Sequence, residues 1–435
     1  MKVLISTFGS CGDINPYLAI GMELQSRGFT VVVAAPSNYR ELFFRHNLGF
    51  VPVRPEVNVD DHALMKLVMD PRKGSETVIR KILMPALRDT FYDLEESASA
   101  ADLLISHVLT HAVPILAEKY RKKWISTVLS PMVFASAYEP PVLAPMPWLA
   151  KLRILGPRLN GWLFRQLKKV SRPWSAPVAE LRREQGLPPG QDPLWEGQHS
   201  PHMVLAMFSR RFGPPQPDWP GNTKICGFPF LDREDEPVDA RTDAFISAGQ
   251  PPMVFTLGSS AVMADGEFFR LAVQAAERLN HRIVLVAGPH AASLEAVLSR
   301  QPSASQGIAL DWASFPGLFA RASVVVHSGG VGTTAQALRA GVPQLIIPFA
   351  HDQFDNADRV RRMGCGHVLF RKNVTENSLV RELESLVSDD TIRQTAKREG
   401  SSIRAEHGVT SAADAICVFV SQMKGSEGLP AAQVP

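Results

Sequence analysis

The sequence predicts an α/β protein built from two doubly wound parallel sheets. Three observations carry that expectation. Short, wholly apolar runs alternate with segments of helical spacing, the pattern of strands covered on both faces by crossover helices. The first such run in each half of the chain stops at a glycine turn that leads into a helix. The pattern also breaks at a proline-rich, acidic stretch and then restarts, which divides the 435 residues into two similar halves.

In the first half, Val3 to Thr7 is an apolar run ending at Gly9-Ser-Cys-Gly. The spacing of Tyr17, Leu18, Ile20, Gly21 and Leu24 predicts a helix from Pro16 to Arg27, stopped by Gly28. Strands are expected at Thr30 to Ala35, Asp102 to Ser106 and Trp124 to Leu129, with a helix at Val113 to Tyr120. From Pro140 to Arg172 the pattern gives way to Pro, Trp and basic residues. Residues 1–210 are thus read as a first domain. Residues 211–245, with Gly213-Pro-Pro-Gln-Pro and Asp232-Arg-Glu-Asp-Glu-Pro, are read as a linker. The second domain, 246–404, opens with a strand at Met253 to Leu257, the turn Gly258-Ser-Ser and a helix at Gly266 to Leu279. Strands at Arg282 to Ala287, Ser323 to His327 and Gln344 to Pro348, a helix ending at Ala340 and another from Gln353 to Met363 complete it. Residues 405–435 are read as a helix, Ala405 to Met423, and a tail.

Composition narrows the function. With 46 Lys and Arg against 43 Asp and Glu the net charge is only +3, which argues against a dedicated nucleic-acid binder. Cys11, Cys226, Cys365 and Cys417 lie far apart, so neither a disulfide framework nor a zinc knuckle is suggested, and a reducing compartment is expected. The opening apolar run is too short for a secretory signal and no run approaches the ~20 apolar residues of a spanning helix, which points to the cytoplasm.

Ligands of open parallel sheets bind beyond the carboxyl ends of the strands, so the loops that follow strands are the informative ones. Val324-Val-Val runs through His327-Ser-Gly-Gly-Val-Gly-Thr-Thr directly into a helix. Glycines let a ligand approach the backbone, a helix N-terminus offers free N–H groups, and Thr333 and Thr334 add hydroxyls, a combination suited to a diphosphate. The same glycines would also serve tight packing of a helix on a strand. No loop has the Gly-x-x-x-x-Gly-Lys of a P-loop, and Gly9-Ser-Cys-Gly-Asp does not complete Gly-x-Gly-x-x-Gly, which argues against an NAD-dependent oxidoreductase.

In order and spacing, the string just quoted, Ala340-Gly-Val-Pro, and Pro348-Phe-Ala-His-Asp-Gln-Phe-Asp-Asn-Ala resemble the nucleotide-sugar signature of inverting glycosyltransferases of plant, macrolide, glycopeptide and sterol type. Thr7-Phe-Gly-Ser-Cys-Gly-Asp-Ile-Asn-Pro looks like their acceptor-side loop. The resemblance implies a GT-B fold: two Rossmann-like domains facing across a cleft, acceptor on the first, sugar donor on the second, and a C-terminal helix crossing back. Gly213-Pro-Pro-Gln-Pro-Asp-Trp-Pro, Gly227-Phe-Pro and Ala350-His-Asp-Gln-Phe-Asp-Asn-Ala leading to Gly364-Cys-Gly are similar to the rhamnosyltransferase chains of rhamnolipid synthesis. That similarity implies a dTDP-sugar donor and a lipid hydroxyl acceptor.

The resemblance also assigns roles. Ser259, Ser260, Gly329, Gly330, Gly332, Thr333 and Thr334 would hold the diphosphate, and Trp312 would stack on the nucleobase unless it is a core residue. Gln336 stands where plant relatives carry a ribose-gripping Glu, and its neutrality suits deoxyribose. Asp352 and Gln353 match the pair that binds sugar hydroxyls, with a helix N-cap as the plainer role of Asp352. Ser328 replaces the second His of the His-His-Gly-Gly of many bacterial relatives, which leaves His327 as a phosphate ligand or as a strand-end histidine bonded to backbone. Asp13 is the candidate general base, with helix capping as its plainer role. His107 and His111 follow a strand toward the cleft and would line the acceptor site or orient Asp13, with a satisfied structural histidine as the plainer reading of each. No metal or cofactor is implied: the nucleotide sugar is a co-substrate, and leaving-group charge would fall to a helix N-terminus and hydroxyls.

Lys151 to Arg172, basic and interleaved with Leu, Ile, Trp and Phe, reads either as a surface for peripheral contact with anionic lipid or as a helical flap over the acceptor pocket. Outside the transferases, a nucleotide-sugar epimerase or hydrolase would share the two-domain plan but need no acceptor. A non-catalytic protein of the same shape would have lost the donor string that is intact here.

Overall fold

A computed structural model describes residues 1–57, 61–232, 239–258, 266–299 and 307–427 of the chain. The first sheet comprises β1 (Lys2–Ser6), β2 (Thr30–Ala35), β3 (Gly49–Pro52), β4 (Leu103–His107), β5 (Lys123–Val128), β6 (Met203–Ala206) and β7 (Thr223–Ile225), in the order β3-β2-β1-β4-β5-β6-β7. The second comprises β8 (Met253–Thr256), β9 (Ile283–Val286), β10 (Gly307–Leu310), β11 (Val324–His327), β12 (Gln344–Ile346) and β13 (Gly366–Val368), in the order β10-β9-β8-β11-β12-β13. All strand pairs are parallel. Both sheets reverse their winding beside their first strand, between β1 and β4 and between β8 and β11, so each has its ligand crevice there. The fully apolar central strands are buried on both faces, as their sequences require.

Two expectations need correction. The first domain does not end at residue 210, because Thr223–Ile225 adds β7 to the first sheet and the passage between domains begins only after it. Three residues of mixed exposure give no apolar run from which such a strand is read. The first helix starts at Cys11 rather than Pro16, since Ser10 serves as N-cap and Pro16 is accommodated inside the helix.

The Gly408–Glu427 helix returns to the first domain. Ala412, Ala413, Ile416 and Val420 join the core formed by Leu18 and Leu24, and Arg27 meets Asp414 at 2.6 Å. Among the described residues no helix is long and apolar enough to cross a membrane.

Two excursions of the first domain are embedded in the second. Met69, 3% exposed, is buried in the core that also contains Phe255, Leu285 and Leu345. Glu139, Val142 and Arg153 meet the helix Gln353–Arg362. Asp355 Oδ1 accepts from the Val142 N–H at 2.9 Å and Asp355 Oδ2 from Arg359 Nε at 2.6 Å. Arg359 Nη1 also donates to Glu139 Oε2 at 2.9 Å and to the Phe212 carbonyl at 3.2 Å. Arg153 pairs with Asp358. Asp355 and Arg359 are wholly enclosed, at 0% and 2% exposure, and their charges are matched across the two domains.

Candidate active site

The loop after β1 places Asp13 at the third position of its helix. Ser10 donates to Asp13 Oδ2 from its N–H (2.8 Å) and its hydroxyl (3.1 Å), while the Thr7 hydroxyl donates to the Asp13 carbonyl at 2.8 Å. A Cβ at Gly9, where φ is +138°, would stand 2.3 Å from Asp13 Oδ2, so this position has room only for glycine. One carboxylate oxygen is thus committed to the capping box, and the other, Oδ1, faces Nε2 of His107 at 3.9 Å. Asp13 takes the capping role through Oδ2, and its Oδ1 is left outside the capping box on the crevice side. Burial raises its pKa, and the Ser10 hydrogen bonds oppose that rise.

His107 ends β4 with Nδ1 unpartnered, its ring edge-on to Tyr17. Burial lowers it to about 3, and lowers His111, at the start of the next helix, to about 4. Both are therefore neutral near pH 7, and neither forms a charged pair with Asp13.

Across the crevice, β11 leads through Ser328 to Gly330, which caps the helix Val331–Ala340. The first amide with an intrahelical partner is that of Thr334, bonded to the Gly330 carbonyl at 2.9 Å, which leaves the N–H groups of Val331, Gly332 and Thr333 at the open end. Gly332 meets the other domain directly: a Cβ there would lie 3.3 Å from the Cα of Gly12. Two helix N-termini, one carrying Asp13 and one the glycine cradle, thus converge at a glycine-to-glycine contact. Such a convergence suits an anion beside a general base.

The remaining donor-side residues divide by what they touch. His327 Nδ1 accepts from the Gly329 N–H at 3.0 Å and its Nε2 lies 2.8 Å from Gln344 Oε1, so both ring nitrogens are engaged. It orders the glycine loop and is not a phosphate ligand. Ser328 likewise donates to the Leu257 carbonyl at 2.7 Å and ties the loop to the end of β8. Thr333 is partly open beside Gly258, whereas Thr334 is fully buried with its hydroxyl unpartnered. Gln336, one turn beyond Thr333, has an enclosed and unpartnered Oε1. Trp312 is 62% exposed in the loop after β10, on the carboxyl side of the sheet, and is not a core residue. Ser259 and Ser260 lie outside the described residues.

Asp352 and Gln353 open the helix after β12. Gln353 Oε1 accepts from the N–H groups of Phe349 (2.8 Å) and Ala350 (3.2 Å), leaving its NH2 as the free donor. Asp352 Oδ2 accepts from Asn356 Nδ2 at 2.8 Å. Asn356 also donates to the Gly329 carbonyl (2.9 Å) and accepts from the Ser130 hydroxyl (3.0 Å), which joins Asp352, the glycine loop and the first domain. Sequence reasoning missed this role, although the four-residue spacing to Asp352 signals a shared helix face. His351, with φ +55°, reaches into the first domain, its Nδ1 3.3 Å from Ser75 Oγ.

Burial, opposed by the Asn356 hydrogen bond, lifts Asp352 to about 7. Unfolded, it titrates near pH ~3.9, so between these values the folded chain holds the extra proton and stability falls as pH rises. Asp352→Asn removes that dependence. In calorimetry without ligand, the variant is expected to gain Tm over the parent chain, slightly at pH 5 and most at pH 8; a constant difference across that range would contradict the shift.

Known proteins place this geometry. Residues 3–139 match the glycosyltransferase family 28 N-terminal domain, and residues 272–413 the erythromycin biosynthesis protein CIII-like C-terminal domain. The chain is 31% identical over 437 residues to the O-mycaminosyltylonolide 6-deoxyallosyltransferase of Streptomyces fradiae, with 97% of each chain covered. It is 27% identical over 434 residues to the sterol 3-beta-glucosyltransferase of Emericella nidulans, covering 96% of this chain but 30% of that longer enzyme. The structure of the spinosyn rhamnosyltransferase SpnG with thymidine diphosphate superposes with a TM-score of 0.67 at 17% identity, over 96% of this chain and 100% of the other. The two sheets facing across a cleft, the paired domain matches and the full-length similarity together make this chain a member of the GT-B glycosyltransferases that join a family 28 N-terminal domain to an erythromycin-CIII-like C-terminal domain.

Proposed function

We propose that the chain transfers rhamnose, with inversion, from dTDP-rhamnose to a hydroxyl of a hydrophobic acceptor such as a hydroxyacyl lipid. The observation that carries the mechanism is the convergence of Asp13 and the glycine cradle at Gly12 and Gly332. Asp13 Oδ1 takes the acceptor proton as that oxygen forms its bond to the anomeric carbon. The bond from that carbon to the diphosphate breaks on the opposite face, and its electron pair leaves on the diphosphate. The amides of Val331, Gly332 and Thr333 receive the developing charge without a net cation, because a helix N-terminus is already oriented toward it. Asp352 accepts from, and the Gln353 NH2 donates to, neighbouring sugar hydroxyls.

The neutral Gln336 and the thymidine diphosphate bound to the SpnG relative support a dTDP donor. The sterol relative favours a second reading, a UDP-glucose-dependent transferase acting on a sterol, polyketide or flavonoid-like scaffold. Thermal unfolding with each nucleotide separates the two: a ligand at about 100 times its Kd stabilises the folded chain by ~2.7 kcal/mol. A larger shift with dTDP than with UDP is expected. The reverse order would select the glucosyl reading, and no shift with either would overturn the donor site.

A further inference from the structure

A cavity of about 1330 Å³ runs along the flank of the first domain. No residue of the second domain lines it and Asp13 is not part of it, so it is separate from the donor crevice. One end holds His111 and Phe134, which follow β4 and β5; the other holds Lys122, Lys123 and His202, which precede or open β5 and β6. It therefore spans the height of the sheet, roughly 20 Å for a six-residue strand. An elongated hollow calls for an elongated ligand.

Its chemistry differs from end to end. In the body, Phe134 stacks on Trp219 (4.2 Å) and on His199 (5.3 Å), a flat apolar wall. At the amino edge, Arg121, Lys122 and Lys123 cluster with no ion pair among the described residues; elsewhere in the lining Arg182 and Lys168 are matched by Glu118 and Glu196, and Arg165, on the Pro157–Ser171 helix, is a single unpaired cation. Beside those cations, His202 presents an enclosed Nδ1 that has no hydrogen-bond partner. The three cations can only donate, so the polar end of a ligand at this edge must accept hydrogen bonds and carry negative charge.

We propose that this flank cavity binds a single-chain anionic amphiphile, its acid group at Arg121, Lys122 and Lys123 and its apolar chain along Phe134 and Trp219 toward His111. The site is independent of the nucleotide reading, because it shares no residue with the donor side.

Isothermal titration of the full-length protein with monomeric dodecanoate, below its micelle concentration, tests it. One-to-one binding is expected, about tenfold weaker in Lys122→Gln/Lys123→Gln, as losing ~1.4 kcal/mol of charge-assisted hydrogen bonding predicts. Gly161→Leu, which fills the cavity from the Pro157–Ser171 helix, should abolish it. An unchanged thermal shift with dTDP shows that each variant is folded, and failure of that shift in the parent chain bears on the donor site alone. Equal binding of dodecyltrimethylammonium, wild-type affinity in both variants, or binding to anionic vesicles but not to monomeric dodecanoate would overturn the proposal.

Discussion

Replacing Asp13 by Asn is expected to lower kcat by about 10²–10⁴ while leaving the KM for donor and the thermal shift with nucleotide unchanged, the pattern of a lost general base. The substitution is a clean one here because Asp13 Oδ2 only accepts hydrogen bonds from Ser10, and an amide oxygen can accept them equally. Helix and loop therefore stay in place while Oδ1 loses its basicity. A base must be ionised to act, and burial has raised the pKa of Asp13, so the acid limb of kcat/KM in the parent chain should fall above the ordinary carboxylate range. Both readings are taken on the acceptor that gives turnover. An Asn variant that keeps more than a tenth of the parental kcat would remove Asp13 from the mechanism.

Asp355→Ala is expected to cost about 3–5 kcal/mol, because it strands Arg359 in the interior with its charge incompletely matched. For a domain of this size that is a fall in Tm of roughly 6–20 °C. The double substitution Asp355→Leu/Arg359→Met removes both charges together and should recover most of the loss, since a buried pair is hard to break but not hard to replace. If the single and double variants melted alike, the pairing would not be the source of the stability. Transfer is expected to suffer in the single variant as well, because the same helix begins at Asp352 and Gln353, the pair proposed to bind the sugar.

How much of this was legible in the sequence depended on the type of signal. β1, β2, β4, β5, β8, β9 and β11 are continuous apolar runs and were readable to within about a residue or two. β7 and β13 have three residues each and β3 is half-exposed, so their strand character comes from neighbours in the sheet, not from their own pattern. The glycine loop could be read as a candidate cradle because glycines, hydroxyls and a helix N-terminus follow one another at the end of a strand. The structure then divided its members: His327 and Ser328 hold the loop, and Gly332 and Thr333 line it. That division depends on partners at Gln344 and Leu257, distant in sequence, which no local pattern encodes. The same holds for Asp355 and Arg359, whose four-residue spacing looks like an ordinary surface pair and whose importance comes from enclosure by residues more than two hundred positions away.

That enclosure, with Met69, has a consequence for engineering. Two tracts of the first half, residues 61–77 and 139–153, are anchored in the second half through Met69, Ser75, Glu139, Val142 and Arg153. An interchange of sugar-donor halves between related enzymes, cut in the stretch between β7 and β8, would separate Asp355 from the Val142 amide, Arg359 from Glu139 and Met69 from its socket. A hybrid designed around this chain has to transplant both tracts with the donor half, so the exchange that preserves the molecule needs a join at each end of both tracts as well as the one between β7 and β8.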